Sequence, residues 1–172
     1  MTTTTSDGTT KWYTDGVLHR TDGPAIEFAN GSKYWYQKGQ LHRTDGPAIE
    51  YPTGANYWLS NGQFHRTDGP AIEFAHGDKK WYINDQLHRT NGPAIEYTSG
   101  TKCWYNNGQP HRTNGPAIEY ADGSNLWYQK GKFHRTDGPA AEYADGDKYW
   151  YIDGVQITKA EFNSRVQSLV DK

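Results

Sequence analysis

The chain has 172 residues, enough for one domain, and a formal net charge of −2, which gives no reason to expect a general attraction to nucleic acid or to anionic membranes. Only 34% of the residues are hydrophobic, but Phe, Trp and Tyr make up 15%, and disordered chains are poor in aromatic residues. The single cysteine, Cys103, excludes an internal disulfide. The N-terminus lacks a basic and apolar leader, and no window approaches the roughly 18 apolar residues of a membrane span, so we expect a cytoplasmic protein.

A 23-residue repeat dominates the sequence, and we count six complete copies and one partial copy. The tripeptide His-Arg-Thr and all tryptophans recur at this interval without an insertion. The tripeptide begins at His19, His42, His65, His88, His111 and His134, and the tryptophans are Trp12, Trp35, Trp58, Trp81, Trp104, Trp127 and Trp150.

The repeat domain is predicted to cover residues 7–154. Residues 1–6 are predicted to form a disordered N-terminal tail. The segment Asp7 to Gly16 reads as the second half of a unit, so the array is expected to open on a lone strand whose edge is available for self-association.

Each unit is predicted to form a β-hairpin. Ala25 to Phe28 alternates in hydrophobicity and Tyr34-Trp35-Tyr36 is an aromatic run, so both suit strands. Asn30-Gly31 between them favours a tight turn. With a two-residue turn, Ile26 pairs with Trp35 on one face, and this Ile and Trp column is the expected core.

Two architectures fit the connection between hairpins. If His-Arg-Thr-Asp-Gly-Pro returns the chain to the next hairpin, the result is an all-β, elongated protein with a curved antiparallel sheet. The alternative is a parallel three-sided β-helix, because glycines eight, eight and seven residues apart could mark three corners: Gly23, Gly31, Gly39 and Gly46.

The end of the chain is predicted to be a short capping helix within residues 155–172. Thr158 and Glu161 have the spacing of a capping box, and Phe162, Val166 and Leu169 recur at helical spacing. Such a helix would cover the last edge of the sheet.

The tandem hairpins with Glu-Tyr or Glu-Phe before the turn glycine resemble MORN (membrane occupation and recognition nexus) repeats. They resemble more closely the variant repeats with His-Arg-x-Asp-Gly-Pro-Ala of bacteriophage and large-virus proteins, over Asp7 to Gly154. Gly31 and Gly39 lie closer together than in the standard repeat, and the return segment is longer. The resemblance implies a curved antiparallel sheet that mediates protein or lipid association, and related bacterial repeats look like antitoxin components.

The recurring His, Arg and Thr residues have two readings. They could line an anion-binding groove, or they could serve the stacking of the repeats, with Arg20 paired to Glu27 and His19 stacked on a Trp edge. Asp22 is replaced by Asn91 and Asn114 in later units, which indicates a turn residue and argues against a metal ligand.

No catalytic residue, metal site or cofactor is predicted, because near-identical repeats supply identical environments and no catalytic motif occurs. Cys103 shares a column with Tyr57 and Tyr149 and is interpreted as semi-buried filler. His76 is assigned to a solvated turn.

The sequence therefore predicts a binding protein that is not an enzyme. One face of the sheet is rich in tyrosine, with Tyr34 and Tyr151 among its residues, and is expected to bind a protein partner. If the protein is viral, the expected partner is a host defence protein in the host cytoplasm. The alternative is a sponge that sequesters a small anionic nucleotide signal. Neither a nucleic acid duplex nor a membrane span is expected. The predicted binding residues are Tyr36, Tyr57, Tyr82, Tyr105, Tyr128, Arg43, Arg66, Arg89 and Arg112.

Overall fold

The computed structural model describes the backbone of residues 1–170, and the side chains of that range apart from residues 166, 167, 169 and 170. As predicted, the protein is all-β: repeated hairpins form an open antiparallel sheet, followed by one short α-helix. The chain divides into two compact units, Met1–Gln86 and a second that begins at Leu87.

The first unit contains the strands β1 (Thr2–Thr4), β2 (Thr10–Thr14), β3 (Val17–Leu18), β4 (Ile26–Glu27), β5 (Lys33–Tyr34), β6 (Tyr36–Gln37), β7 (Gln40–Leu41), β8 (Ile49–Glu50), β9 (Asn56–Tyr57), β10 (Leu59–Ser60), β11 (Gln63–Phe64), β12 (Ile72–Glu73), β13 (Lys79–Lys80) and β14 (Tyr82–Ile83). Strand β15 (Gln86–Leu87) lies at the boundary. The second unit contains β16 (Ile95–Glu96), β17 (Lys102–Cys103), β18 (Tyr105–Asn106), β19 (Gln109–Pro110), β20 (Ile118–Glu119), β21 (Asn125–Leu126), β22 (Tyr128–Gln129), β23 (Lys132–Phe133), β24 (Ala141–Glu142), β25 (Lys148–Ile152), β26 (Val155–Ile157) and the helix α1 (Lys159–Val170).

Each repeat contributes one hairpin to the main sheet and one smaller hairpin beside it. The order of the main sheet is β1-β2-β4-β5-β8-β9-β12-β13 in the first unit and β16-β17-β20-β21-β24-β25-β26 in the second. The smaller hairpins include β6-β7 and β10-β11 in the first unit and β18-β19 and β22-β23 in the second. All strand pairs described within either unit are antiparallel, which excludes the parallel β-helix alternative.

The register of the main hairpin differs by one residue from the prediction. Ile26 pairs with Tyr34, not with Trp35. The turn has three residues, since the Phe28 N–H donates to the Ser32 carbonyl at 2.9 Å and Gly31 takes a positive φ of 86°. A shift of one residue in register moves a side chain to the other face of a sheet. The side chain of Trp35 therefore lies on the face of the sheet that Ile26 does not share.

In the first unit the core therefore lies on the isoleucine face of the sheet, and partly buried tyrosines, not the predicted tryptophans, pack against it. Ile49 lies in a buried cluster with Ala48 and Leu59, and Tyr57 and Phe64 pack against this cluster. Leu59 and Phe64 belong to a smaller hairpin, so the smaller hairpins cover the isoleucine face of the main sheet. The tryptophans of the opposite face are half-buried.

The N-terminal segment is ordered as a strand, which corrects the predicted disordered tail and the predicted lone opening strand. Thr2 pairs with Trp12 and Thr4 with Thr10, so β1 covers the outer edge of β2. Threonine is β-branched and favours strands, and pairing satisfies backbone groups that β2 would otherwise leave at an edge.

The C-terminal segment begins with a strand and continues as the predicted helix. β26 pairs with the second half of β25, so a strand covers that part of the edge that the helix was expected to cover. The capping box is confirmed, because Glu161 accepts the Thr158 N–H at 2.7 Å and the Thr158 hydroxyl accepts the Glu161 N–H at 3.2 Å. Phe162 is buried and α1 contacts β25. The predicted roles of Val166 and Leu169 concern side chains outside the described set.

Candidate functional site

The arginines of the His-Arg-Thr loops stack on tryptophan rings. The guanidinium carbon of Arg43 lies 4.1 Å from the ring centroid of Trp35, and that of Arg66 lies 4.0 Å from Trp58. This is cation–π geometry. The same contact joins Arg20 to Trp12, Arg112 to Trp104 and Arg135 to Trp127.

Each guanidinium is also paired with carboxylates, as Arg43 shows. Its Nε donates to Asp45 at 2.9 Å, and its Nη1 donates to Glu50 at 2.7 Å and to the Pro47 carbonyl at 3.2 Å. A Cβ at Gly46 would lie 2.8 Å from the guanidinium carbon, so a side chain there would displace the arginine. The predicted Arg–Glu pairing is confirmed at Arg20–Glu27, Arg43–Glu50, Arg66–Glu73, Arg89–Glu96, Arg112–Glu119 and Arg135–Glu142.

The aspartates of these loops pair with arginine, so their charge contributes to the loop, contrary to the prediction of a turn residue alone. The hydrogen bond from Arg20 lowers the pKa of Asp22 below its usual value, and the pKa values of Asp45 and Asp68 are lowered for the same reason. Where Asn91 and Asn114 replace the aspartate, the arginine keeps its glutamate partner.

The histidines link each repeat to the next. His19 Nδ1 accepts the backbone N–H of Lys38 at 3.0 Å, and His42 Nδ1 accepts that of Asn61 at 3.1 Å. Each donor is the first turn residue of the following small hairpin. This hydrogen bond occupies the imidazole that was expected to stack on a Trp edge, so the histidines serve the stacking of repeats by a different contact.

Successive loops enclose similar clefts within each unit. One cleft of about 580 Å³ lies between the loops of Arg43 and Arg66, with Trp58 and Thr67 among its lining residues. Equivalent clefts of about 520 Å³ and 340 Å³ lie at Trp35 and Trp127. In the first cleft the two guanidinium groups are paired with four carboxylates, so the cleft offers little attraction to an anion.

The predicted binding tyrosines belong to two different columns and are half-buried. Tyr57 lies in the main sheet and packs on the core. The other four lie in the smaller hairpins, and burial raises the pKa of Tyr128 to about 12 and that of Tyr36 above its usual value. Those four are Tyr36, Tyr82, Tyr105 and Tyr128.

A different column of tyrosines is exposed in the second unit. Tyr97, Tyr120 and Tyr143, which we call the tyrosine row, are 36%, 42% and 41% exposed. Tyr149 is 37% exposed, and its ring centroid lies 5.9 Å from that of Tyr143. This row was not predicted from the sequence, because its position has the pattern of an ordinary strand residue in every repeat.

In the first unit, neighbouring aromatic rings cover the residues at the positions equivalent to the tyrosine row. Phe28, Tyr51 and Phe74 occupy the column, and Tyr34 lies between the first two, with ring centroids 4.8 Å and 5.9 Å away. Tyr57 lies between Tyr51 and Phe74 at 5.4 Å and 6.0 Å.

In the second unit the intervening residues are shorter. Cys103 and Leu126 occupy the column of Tyr34 and Tyr57, and both are buried. Their side chains do not reach over the tyrosines, which leaves the tyrosine row exposed. The change from Tyr to Cys and Leu was the sequence signal that could have revealed the row.

The chemistry at Cys103 is that of a buried thiol, since burial raises its pKa to about 11. His76 lies at a hairpin tip as expected, where its Nε2 lies 2.9 Å from Asp78 and its ring stacks on Phe74.

Among the described residues no group of three or more His, Cys, Asp or Glu could hold a metal ion.

Comparisons with known proteins give no family. The chain matches no protein-family model and no curated protein sequence. No helix within residues 1–170 combines the length and the hydrophobicity that a membrane crossing needs.

Proposed function

We propose that this chain is a non-enzymatic protein-binding module whose contact surface is the tyrosine row of the second unit. The observation that carries the proposal is the exposure of three tyrosines at equal 23-residue intervals, with Tyr149 beside them. Tyrosine is enriched at protein interfaces and among the residues that dominate binding energy. Exposed aromatic residues concentrated in one place are a mark of an interaction surface.

The absence of an enzymatic role is part of the proposal. The polar ladders of His, Arg and Asp are occupied by hydrogen bonds and ion pairs that hold the repeats together. The thiol of Cys103 is buried and its raised pKa keeps it protonated at neutral pH, so it is a poor nucleophile.

The biological setting rests on the resemblance of the repeats to MORN-like repeats of phage and large-virus proteins. On that basis the protein is viral, acts in the host cytoplasm, and binds a host protein, either to inhibit a defence function or as a scaffold. Self-association through β1 is a second mode of protein binding, because β1 is the outer strand of the first unit.

The alternative of a nucleotide sponge has less support. A sponge needs guanidinium groups that are available to phosphate, and those of Arg43, Arg66 and Arg112 are engaged with carboxylates and stacked on tryptophan. Calorimetric titration with cyclic and linear nucleotides tests the alternative directly.

The test of the module is affinity capture from an extract of the cells in which the protein naturally occurs, followed by mass spectrometry. Proteins retained by the wild type are expected to be lost when Tyr97, Tyr120 and Tyr143 are all changed to Ala. The matched control is Lys102→Ala with Lys148→Ala, which alters exposed residues on the opposite face of two of the three hairpins. Equal retention by the triple variant, with native circular dichroism, would place the contact surface elsewhere.

A further inference from the structure

We infer that the tyrosine row binds a proline-rich segment of the partner in the polyproline II conformation, with Arg or Lys at every third residue. This inference rests on the proposed protein-binding function and names the chemistry of the partner. It follows from the spacing of the tyrosines, the short side chains between them and the charge at the hairpin tips.

The spacing of the row matches a polyproline II helix. Tyr97 follows β16 and Tyr120 follows β20, and β17 lies between these strands. Adjacent strands are about 4.8 Å apart, so consecutive tyrosines are separated by about 9.6 Å along the sheet. A polyproline II helix has three residues per turn and rises about 3.1 Å per residue, so it presents the same face every 9.3 Å or so.

Other regular conformations match less well. An extended β-strand presents one face about every 6.6 Å, which falls out of step with the row after one tyrosine. Two turns of an α-helix rise about 10.8 Å, which accumulates an error of more than about 2 Å over three tyrosines.

The surface between the tyrosines suits proline rings. Cys103 lies between Tyr97 and Tyr120, and Leu126 lies between Tyr120 and Tyr143. Both are buried apolar residues and are shorter than the tyrosines of the same column in the first unit, so no aromatic ring stands between the rings of the row. Aromatic-lined apolar grooves are the surfaces on which polyproline II segments dock.

The charge beside Tyr120 and Tyr143 is negative and favours a basic segment, whereas the tip beside Tyr97 carries Ser99. Burial is the largest cause of the raised pKa of Tyr120, followed by Cys103 and Tyr143, and Asp122 makes the smallest contribution of the four. Tyr149 donates a hydrogen bond to Asp147 at 3.2 Å, and the charge of Asp147 is the largest cause of its raised pKa, with Asp145 contributing less. A cation over a tyrosine ring and beside these carboxylates gains both attractions.

The first unit serves as an internal control for this charge. At the position of Asp122 and Asp145 it has Asn30, Thr53 and His76, and Lys80 lies over the Phe74 ring at 5.4 Å. At this position the first unit therefore has neutral or basic residues beside covered rings, whereas in the second unit the exposed Tyr120 and Tyr143 have an aspartate there and Tyr97 has Ser99.

The experiment measures fluorescence anisotropy of a labelled peptide of about four Arg-Pro-Pro triplets, long enough to span the row. A second peptide has the same composition, with its arginines at alternating spacings of about two and four residues. The intact chain is expected to bind the triplet peptide at least about fivefold more tightly than the permuted one, and increasing salt is expected to weaken the binding. Equal affinity for the two peptides would overturn the inference.

Two variants locate the peptide on the row. Tyr120→Ala is expected to weaken binding about tenfold or more, as removal of a central interface residue does. Asp122→Asn with Asp145→Asn is expected to weaken binding and to reduce its salt dependence, and this double variant keeps the rings in place if Tyr120→Ala does not fold. The control is Asp22→Asn with Asp45→Asn, which removes the same charge at a position where other repeats carry Asn. Equal effects of the two double variants would overturn the inference.

The result is separable from the proposed function. If the triple tyrosine variant loses the captured proteins but the intact chain does not bind the triplet peptide, the protein-binding module stands and the polyproline II inference is refuted. Retention of the captured proteins together with an unbound peptide refutes both.

Discussion

Ser32 shows how one residue of a repeat depends on a residue in the next. Ser124 Oγ accepts the Ala144 N–H at 3.0 Å, across a separation of 20 residues. The equivalent donor for Ser32 would be residue 52, which is Pro52 and has no N–H. The Ser32 hydroxyl is accordingly buried without a hydrogen-bond partner.

Ser32→Ala is expected to raise the free energy of unfolding by about 1 kcal/mol, because it removes a buried hydroxyl that makes no hydrogen bond. Alanine fits this column, since Ala55 occupies the equivalent place in the next repeat. Ser124→Ala is expected to lower the free energy of unfolding by about 1 kcal/mol, because it removes the acceptor of the Ala144 N–H. Urea denaturation measures both, and changes of the same sign would contradict this account.

Arg66→Ala is expected to lower the free energy of unfolding by about 2 kcal/mol, since it removes the stacking on Trp58 and leaves Glu73 and the Pro70 carbonyl without their donor. Asp68 is 81% exposed, so Asp68→Asn is expected to change stability by less than about 0.5 kcal/mol. Thermal melting compares the two variants. Similar losses in both would show that the exposed ion pair, and not the stacking, stabilises the loop.

At the scale of elements, the turns determine which residues face the core. The main hairpin turns end in a glycine with positive φ, such as Gly31 and Gly54, and the small hairpins turn on two residues with positive φ, such as Lys38 and Gly39. The three-residue turn sets the pairing of Ile26 with Tyr34. As a result the tryptophans lie on the opposite face of the sheet, where the arginines stack on them.

Gly54→Ala is expected to lower the free energy of unfolding by about 1–2 kcal/mol because the residue has a φ of +94°. No atom lies within 4 Å of the added Cβ, so the loss reports backbone strain and not a clash. Thr53→Ala in the same turn is the control and is expected to change stability by less than about 0.5 kcal/mol. An unchanged urea midpoint for Gly54→Ala would show that the turn adopts another form.

Across the whole molecule, the 23-residue repeats form a series in which each repeat has similar internal contacts. Arg–Trp stacking and Arg–Glu pairing recur from the first loop to the last. The free energy of unfolding of such an array is approximately the sum of the contributions of the single repeats and of the interfaces between neighbouring repeats.

Deletion of residues 30–52 joins Ala29 to Thr53 and removes one repeat without changing the register. The shortened protein is expected to keep its β-type circular dichroism per residue and to have a lower free energy of unfolding. Chemical denaturation followed by circular dichroism checks this. Complete loss of structure would show that the repeats are not additive.

Alkaline pH is expected to destabilise the protein. Burial, assisted by the hydrogen bond with Tyr51, raises the pKa of Tyr34 to about 12, and burial raises that of Tyr128 to about 12, from the ordinary value of 10.0. The folded state therefore holds these protons more tightly than the unfolded state. The associated stability is fully present below pH 10 and is lost as the pH rises to about 12.

Melting temperature as a function of pH measures this effect. Tyr34→Phe is expected to flatten the decline, because it removes one of the groups with a raised pKa. A melting temperature that is constant between pH 10 and 12 would contradict the assignment.

The repeat, the hairpins, the Arg–Glu pairs and the helix cap could all be predicted from the sequence. These features depend on local chemistry: turn glycines, alternating strands and the spacing of Thr158 and Glu161. The register and the exposed surface could not be predicted in this way, because they depend on the length of the turn and on contacts between strands. A third turn residue moves Trp35 to the opposite face, and the exposure of Tyr120 depends on Cys103 and Leu126 in neighbouring strands. Exposure is a property of neighbours in space, so near-identical repeats carry different surfaces.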